Sequence, residues 1–482
     1  MKAVPLSELV RRELDEDPRI VGVTADSRRV EPGWLFAALP GTRQDGARFV
    51  AEAKAKGAAA ILAGEAVETP LPLVLSLDVR RAYALAAAAF FEAQPEATVA
   101  VTGTNGKSST VGFCRQIFTA LGREAASMGT LGVIAGSETL AGPGLTTPDA
   151  GDVAAILADL SGRGVTRLAL EASSHGLDQR RLDGVRLKAA GFLNLTQDHL
   201  DYHGDMAAYR KAKLRLFEEL LPRGETAVLN ADSDAYSVFA AAAAANGHGL
   251  FSVGAMGREL VLAGRRAGAR GQRLRITAAG KSFVVELPLA GAFQASNALV
   301  AAGLCMAAGE EAEAVIGALE RLEGAPGRLQ KVGEKRGGGS AFVDYAHTPD
   351  GLTAVLSSLR PHAKGRLIVV FGAGGDRDVG KRPKMGRAAA ELADIAIVTD
   401  DNPRSEDPAA IRAQVLAGAA GLREIAGRRA AIETAAGLLE AGDILVVAGK
   451  GPEQGQIIGQ EVHPFDDALE TARALGLERA HG

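Results

Sequence analysis

At 482 residues the chain has room for about three domains of ordinary size. Hydrophobic residues make up 47% and charged residues 23%, enough for a packed core, and a net charge of -4 argues against a basic nucleic-acid or membrane-surface footprint. The two cysteines, Cys114 and Cys305, stand in unrelated contexts and make neither a disulfide framework nor a zinc motif. No signal-peptide h-region opens the chain, and the Ala-rich runs 84–90 and 240–245 are too short to span a bilayer. The expectation is a cytoplasmic monomer that acts on small molecules, with no nucleic-acid partner and no membrane insertion.

Residues 1–90 read as a small α/β unit. PLSELVRREL has the pattern of an amphipathic helix. IVGVTADSR, LFAAL and AAAILA read as short strands, with FVAEAKAKGA as a helix between two of them. The linker EAQPEA at 92–97 leads into a central block, 91–325. That block opens with the strand TVAVTG, a Gly-rich loop and a helix from about Lys107. RLALEA (167–172), AAGFLNL (189–195) and TAVLN (226–230) are apolar without alternation, as in a parallel sheet buried on both faces. Residues 249–289 suit a local antiparallel element, and EGAPGR at 323–328 marks a second boundary. In the last block, 326–482, the strands AFVDYA (341–346), RLIVVFG (366–372), DIAIVTD (394–400) and DILVVAG (443–449) alternate with helices after Asp350, Pro383, Pro408 and Arg428. This predicts a doubly wound, Rossmann-like domain whose ligands lie beyond the carboxyl ends of the strands. DYAHTPD, GAGGDRD, DDNPR and GKGPE fall there.

Residues Thr102, Gly103, Thr104, Asn105, Gly106, Lys107, Ser108 and Ser109 lie between a strand and a helix. Backbone N–H groups there, with the helix N-terminus, suit a triphosphate. Lys107 suits the outer phosphates and Ser108 a Mg²⁺ ion. Val101 occupies the first Gly position of the usual phosphate-loop pattern, so the loop is shortened and does not by itself name a reaction.

Glu171 ends a buried strand and is either a structural acid or a Mg²⁺ ligand beside the triphosphate. His199, after the next strand, is either a hydrogen-bonded partner or a ligand to a second metal. Lys213 interrupts an apolar helical stripe of Met206, Tyr209, Leu216, Phe217 and Leu220, whereas Lys211 points elsewhere. It either snorkels to solvent or is a desolvated, neutral amine able to form a carbamate with CO₂.

Together TGTNGKSS, EASSHGLDQRRL, LTQDHLDYHG with Lys213, PGRLQ, VDYAHTPD, FGAGGDRDVGKRPKMG and DNPR resemble the Mur ligases, and within them the UDP-N-acetylmuramoyl-tripeptide synthetases. DSRRVEPGWLFAALPG and DGARFV resemble the same group, so the likeness spans the chain. The resemblance implies three domains: uridine-nucleotide binding at 1–90, a central P-loop ATP-binding domain at 91–325 and a C-terminal amino-acid-binding domain at 326–482. It implies ATP-dependent addition of meso-diaminopimelate to UDP-N-acetylmuramoyl-L-alanyl-D-glutamate through an acyl phosphate, with Mg²⁺ and a carbamylated Lys213. On the matched positions, residues 103–109 hold the phosphates, Ser108, Glu171, His199 and Lys213 serve the metals, and Lys107 joins Glu171, His199 and Lys213 as catalytic groups. Ser27, Thr42, Arg43 and Gln44 fall where the family binds the uridine diphosphate end. Asn105, Thr146, Thr147, Ser173, Gln179 and Arg181 fall where it grips the muramoyl-peptide. Asn297, Arg328, Asp344 and His347 fall on the ATP base and ribose side, and Arg377, Asp401, Asn402, Arg404, Gly449 and Glu453 fall around diaminopimelate.

The chain departs from the family pattern at Gln294, where an Asn is common, and at Pro452, where GKGHE has a His. Gln294 keeps an amide; Pro452 removes an imidazole and a backbone donor. Lysine-adding and folylpolyglutamate-synthase-like ligases are the competing enzyme readings. A non-catalytic nucleotide-binding scaffold would not need Lys107, Glu171, His199 and Lys213 together.

Overall fold

Unbroken apolar runs become buried strands, and the helices between them return the chain so that neighbours run parallel. A computed structural model describes residues 2–41, 45–136, 138–140, 145–268 and 271–477. The chain divides into two compact units, Met1–Val261 with Leu299–Val315, and Leu262–Ala298 with Ile316–Gly482.

Besides the two-stranded pairing of Val4–Pro5 with Arg19–Ile20, the described residues of the first unit form a smaller and a larger sheet. The smaller is parallel and takes Gly22–Thr24, Trp34–Ala38, Ala60–Ala63 and Leu73–Leu75 in chain order. The helix expected over PLSELVRREL is only Leu6–Val10, ending at Arg11 with φ 51°. Leu6 and Leu9 are buried in the core while Val10 and Leu14 pack at its edge, and Asp17 binds both the amide and the hydroxyl of Ser7. A long helix, Val79–Phe91, joins this sheet to the next part. Its Tyr83 hydroxyl donates to Asp149 at 2.7 Å, and Arg29 pairs with Asp152 at 2.7 Å. Gly184 packs against its Ala84 carbonyl, 2.6 Å from where a Cβ would stand.

In the larger sheet Ala97–Thr102 lies between Arg167–Glu171 and Leu187–Phe192, with Ala125–Gly129 beyond the first and Thr226–Asn230 and Gly249–Gly254 beyond the second, all parallel. The chain therefore reverses its direction of growth on either side of Ala97–Thr102, which places the following loop at the switch point where such sheets bind ligands. Phe192 stacks on Phe239 with centroids 3.7 Å apart. Cys114 and Cys305, unrelated in sequence, face each other across the helices Lys107–Ala120 and Ala292–Ala307: Cys305 Sγ lies 3.8 Å from the Cys114 carbonyl oxygen.

The second unit contains an antiparallel hairpin, Gly271–Ala278 with Lys281–Leu287, where 249–289 predicts such an element. Its main sheet orders Ser340–Asp344, Ile444–Ala448, Leu367–Phe371, Ile395–Val398 and Arg423–Glu424, all parallel. Gln330–Glu334 lies antiparallel on the edge. The helix expected after Pro383 begins at Lys381, with the proline in a first turn that needs no donor from it. One exposed hairpin, Gly455–Ile458 with Glu461–Pro464, has no counterpart in the sequence reading, because it lacks an apolar face to alternate.

Under this sheet lies a buried fork. Arg428 donates to Asp467 through Nε at 2.7 Å and Nη2 at 2.6 Å, and Nη2 also reaches the Ala448 carbonyl at 2.9 Å. Both side chains are fully buried. Replacing Arg428 with Met strands a buried carboxylate, so urea denaturation should show a loss of about 3–5 kcal/mol. An unchanged midpoint would mean the pair contributes nothing.

Candidate active site

The phosphate loop is fastened to the end of the neighbouring strand. Thr104 N donates to the Asn194 carbonyl at 3.0 Å, and Asn105 exchanges two bonds with the Asn194 side chain, at 2.9 and 3.0 Å. Thr104 Oγ1 accepts from Thr196 N at 2.9 Å and from the Tyr209 hydroxyl at 3.2 Å. Gly103 has φ 155° and Gly106 φ 92°; a Cβ on Gly103 would stand 2.9 Å from Leu193. These bonds hold residues 103–106 open for the helix that starts at Lys107.

Two lysines meet at this loop. Lys107 Nζ donates to the carbonyls of Gly103 and Thr104, each at 2.9 Å. Lys213 Nζ donates to the same Gly103 carbonyl at 2.8 Å and lies 4.5 Å from the centre of the Tyr209 ring. Lys213 is buried, so it does not snorkel, while Lys211 is exposed. Burial first, then the Lys107 charge, pushes the Lys213 amine well below the lysine range. Burial pushes the Tyr209 phenol up to about 12, so it stays a donor. The helix Met206–Arg215 passes into a π-turn at Leu216–Leu220, which still buries Leu216 and Phe217.

Glu171 is buried at its strand end, with Oε1 accepting from Thr130 N at 2.8 Å. A Cβ on Gly129 would stand 2.1 Å from that oxygen. No cation pairs with Glu171 among the described residues. Of the residues expected to grip the muramoyl-peptide, all but Asn105, which bonds to Asn194, form one chain. Thr146 Oγ1 meets Thr130 Oγ1 at 3.0 Å, and Thr147 Oγ1 binds the Glu171 carbonyl at 2.8 Å and Ser173 Oγ at 2.9 Å. Arg181 donates to the Thr147 carbonyl and to Gln179 Oε1, both at 2.7 Å. Gln179 Nε2 reaches the Tyr202 hydroxyl at 3.0 Å. His199 is half-exposed with φ 52°, 3.4 Å from Asp198, and its ring stands edge-on to His175 at 4.9 Å. Burial, then the neighbouring imidazoles, holds His175 below the usual histidine range. Ser27 lies apart, donating to Glu52 at 2.9 Å, and Thr42, Arg43 and Gln44 fall outside the described residues.

Among the described residues no group of three or more His, Cys, Asp or Glu side chains is set to hold a metal. Mg²⁺ needs less, because it keeps several waters and takes one or two protein ligands beside a phosphate. An uncompensated buried acid near a phosphate loop fits that demand.

In the second unit Gln294 Nε2 donates to the Arg328 carbonyl at 3.2 Å and Gln294 Oε1 accepts from Asn297 at 3.3 Å, so the substituted amide keeps its links. Arg328 lies over the Tyr345 ring at 4.6 Å. Asp344 accepts from Leu329 N and Ala346 N, and burial raises its carboxyl to about 6. His347 Nδ1 faces the Tyr345 carbonyl at 2.7 Å, and Lys381, which the sequence reading missed, donates to the His347 carbonyl at 2.9 Å.

The loops GGDRD and DNPR are stitched together. Gly375 N donates to the Asn402 carbonyl at 2.9 Å, and a Cβ on Gly375 would stand 1.9 Å from the Pro403 oxygen. Arg382 grips Glu406 at 2.8 Å through both Nη atoms, holding that carboxyl at about 2. Arg404, at φ 52°, donates through Nη1 to the Gly375 carbonyl at 2.8 Å, and Arg377 lies exposed on the adjoining loop. Asp401 Oδ2 is buried without a hydrogen-bond partner, 4.0 Å from Arg428 Nη1 and 2.5 Å from where a Gly449 Cβ would stand. Asn402 donates to Glu453 at 2.8 Å.

Family models now decide the lineage: the Mur ligase middle domain matches residues 101–305, the Mur ligase glutamate ligase domain 327–451, and the Mur ligase family catalytic domain 19–102. The chain belongs to the Mur ligase family. A relative from Caulobacter vibrioides, named UDP-N-acetylmuramoyl-L-alanyl-D-glutamate--2,6-diaminopimelate ligase, is 64% identical over 98% of each chain. A Bradyrhizobium diazoefficiens protein of the same name is 53% identical over 95% of each. A solved structure of that ligase superposes with TM-score 0.77 at 34% identity, covering 98% of this Mur ligase and 99% of that chain. Folylpolyglutamate synthase from Mycobacterium tuberculosis, complexed with ADP and AMPPCP, shares the fold at TM-score 0.60 and 19% identity over 77% of this chain and 92% of its own. No helix among the described residues is long and apolar enough to cross a membrane.

Lys213 should cost this Mur ligase stability. Its folded-state amine lies well below the ordinary 10.5, so the unfolded chain holds the proton more readily. Folding is therefore penalised below 10.5, and the penalty fades as pH rises towards that value. Calorimetry in CO₂-free buffer should give Lys213→Met a higher melting temperature than wild type at pH 7, with the gap closing towards pH 10. A lower melting temperature for the variant at pH 7 would contradict the penalty.

Proposed function

We propose that this chain is the ATP-dependent ligase that joins meso-diaminopimelate to UDP-N-acetylmuramoyl-L-alanyl-D-glutamate. The observation that carries the reading is the Arg404 guanidinium, anchored through Nη1 on the Gly375 carbonyl beside the Asn402–Glu453 pair. Its remaining edge suits a carboxylate held by two parallel bonds, and a distal carboxylate is what diaminopimelate has and lysine lacks. The shared printed name of the 64% and 53% identical relatives supports the same choice.

In this reading residues 1–90, with Ser27, Thr42, Arg43 and Gln44, take the uridine diphosphate end. Thr146, Thr147, Ser173, Gln179, Arg181 and Asn105 orient the muramoyl-peptide. The loop 103–109 binds the triphosphate of ATP, with Asn297, Arg328, Asp344 and His347 on the nucleoside side. Ser108 and Glu171 would hold Mg²⁺, with His199 and modified Lys213 serving a second ion; bound Mg²⁺ supplies charge neutralisation between the phosphates and the attacking carboxylate. The neutral Lys213 amine attacks CO₂: an N–C bond forms as one C–O π bond opens, one amine proton leaves to solvent, and the buried neutral amine becomes a carbamate anion. Lys107 neutralises the outer phosphates while the D-Glu carboxylate oxygen attacks the γ-phosphorus and ADP leaves. The incoming amine, once deprotonated, attacks the acyl carbon, and phosphate departs from the tetrahedral intermediate. Arg377 holds the proximal carboxylate, while Asp401, Asn402, Arg404, Gly449 and Glu453 shape the pocket around the rest of the amino acid. The chain's contribution is positioning and electrostatics rather than a covalent side-chain intermediate.

Two assays test this. Purified enzyme should favour meso-diaminopimelate over lysine by at least about 10³ in kcat/KM, and Arg404→Lys should lose most of that ratio. Equal turnover of lysine would overturn the assignment. Lys213→Ala should lose nearly all ligation and regain part of it with added short carboxylic acids; full activity without an additive would remove the carbamate from the mechanism.

A further inference from the structure

Lys450 follows the strand Ile444–Ala448 and is fully buried. A buried ammonium is tolerable only when its donors are met. All three are: Nζ lies 3.0 Å from Asn402 Oδ1, 2.9 Å from Glu453 Oε2 and 2.6 Å from the Gly455 carbonyl. Asn402 Oδ1 also accepts from Ile457 N at 2.9 Å. With two donors on that oxygen the amide has one orientation. Turning it over would set its NH₂ against the ammonium and the Ile457 N–H. Its Nδ2 therefore points at Glu453 Oε2, 2.8 Å away. Glu453 Oε2 is thus held from two sides, while Oε1 meets no protein donor among the described residues, on a side chain 35% exposed. The resemblance puts Asn402 and Glu453 around diaminopimelate; it does not name Lys450, the group that orients both.

We propose that Lys450 is the positioning residue of the amino-acid pocket, fixing the Asn402 amide and Glu453 Oε2 so that Glu453 Oε1 is presented to the distal ammonium of the incoming diamino acid. This rests on the function proposed above. Lys450 itself touches no substrate; it acts through Glu453. A lysine that merely stabilised the loop would affect all amino acids alike, whereas this one sets discrimination for the distal amine.

The test compares meso-diaminopimelate with 2-aminopimelate, which keeps the attacking amine and the distal carboxylate but lacks the distal amine. Wild-type enzyme should favour diaminopimelate by about 10²-fold or more in kcat/KM. Lys450→Met should bring that ratio to within a few-fold and raise the KM for diaminopimelate, with the KM for ATP within about twofold of wild type. A wild-type ratio retained in Lys450→Met, or no preference in the wild-type enzyme, overturns the inference. Should Lys450→Met fail to fold, Lys450→Arg is scored by the same ratio, because a planar fork cannot address three acceptors grouped around one nitrogen. A wild-type enzyme that does not use diaminopimelate at all overturns the functional reading itself, and that result appears before any variant is made.

Discussion

Two amines share one carbonyl oxygen. Lys107 and Lys213 come from different helices, yet both donate to Gly103 O. Like charges this close repel unless one loses its proton or an anion arrives between them. Much of the first unit can be understood as the means of enforcing that arrangement. The loop is bonded to Asn194 and Thr196 so that it cannot relax away, and Tyr209 presses its ring on one amine while its hydroxyl steadies Thr104. The parallel strands put these groups at one edge, and only a sheet buried on both faces is rigid enough to keep them there.

The second unit follows the opposite rule. Three of its buried cations are gripped by acceptors: Arg428 by Asp467, Arg382 by Glu406 and Lys450 by three oxygens. Such networks specify one geometry because every alternative leaves a buried charge unmet. Against that background the unspent groups stand out. Asp401 Oδ2, 4.0 Å from Arg428 Nη1, and Arg328 Nε are buried without hydrogen-bond partners, and both belong to loops at the carboxyl ends of the strands or beside them.

The sheets were legible because unalternating apolar runs of five or six residues leave little else to form, and Lys213 was legible because it breaks an apolar stripe. Glu171 was ambiguous in sequence; the structure adds that it is buried and accepts from Thr130 N and Oγ1. What sequence could not supply was the long-range partner. Asn194 serves a loop 89 residues earlier, Thr130 serves Glu171 across 41, and Lys450 reaches Asn402 across 48. No local periodicity encodes such a pairing. The short first helix has such a partner too: Asp17 binds its Ser7 across 10 residues. The exposed hairpin at 455–464 was missed because nothing apolar marks its register.

Gly129 and Glu171 share one volume, since the carboxylate fills the space where the glycine would carry a Cβ. Neither position can drift alone. Any side chain at 129 evicts the acid, and a shorter residue at 171 opens a hole against bare backbone. If Glu171 serves the reaction as proposed, an inhibitor resting against this wall meets a surface that a single-codon change reshapes only by disturbing the acid itself.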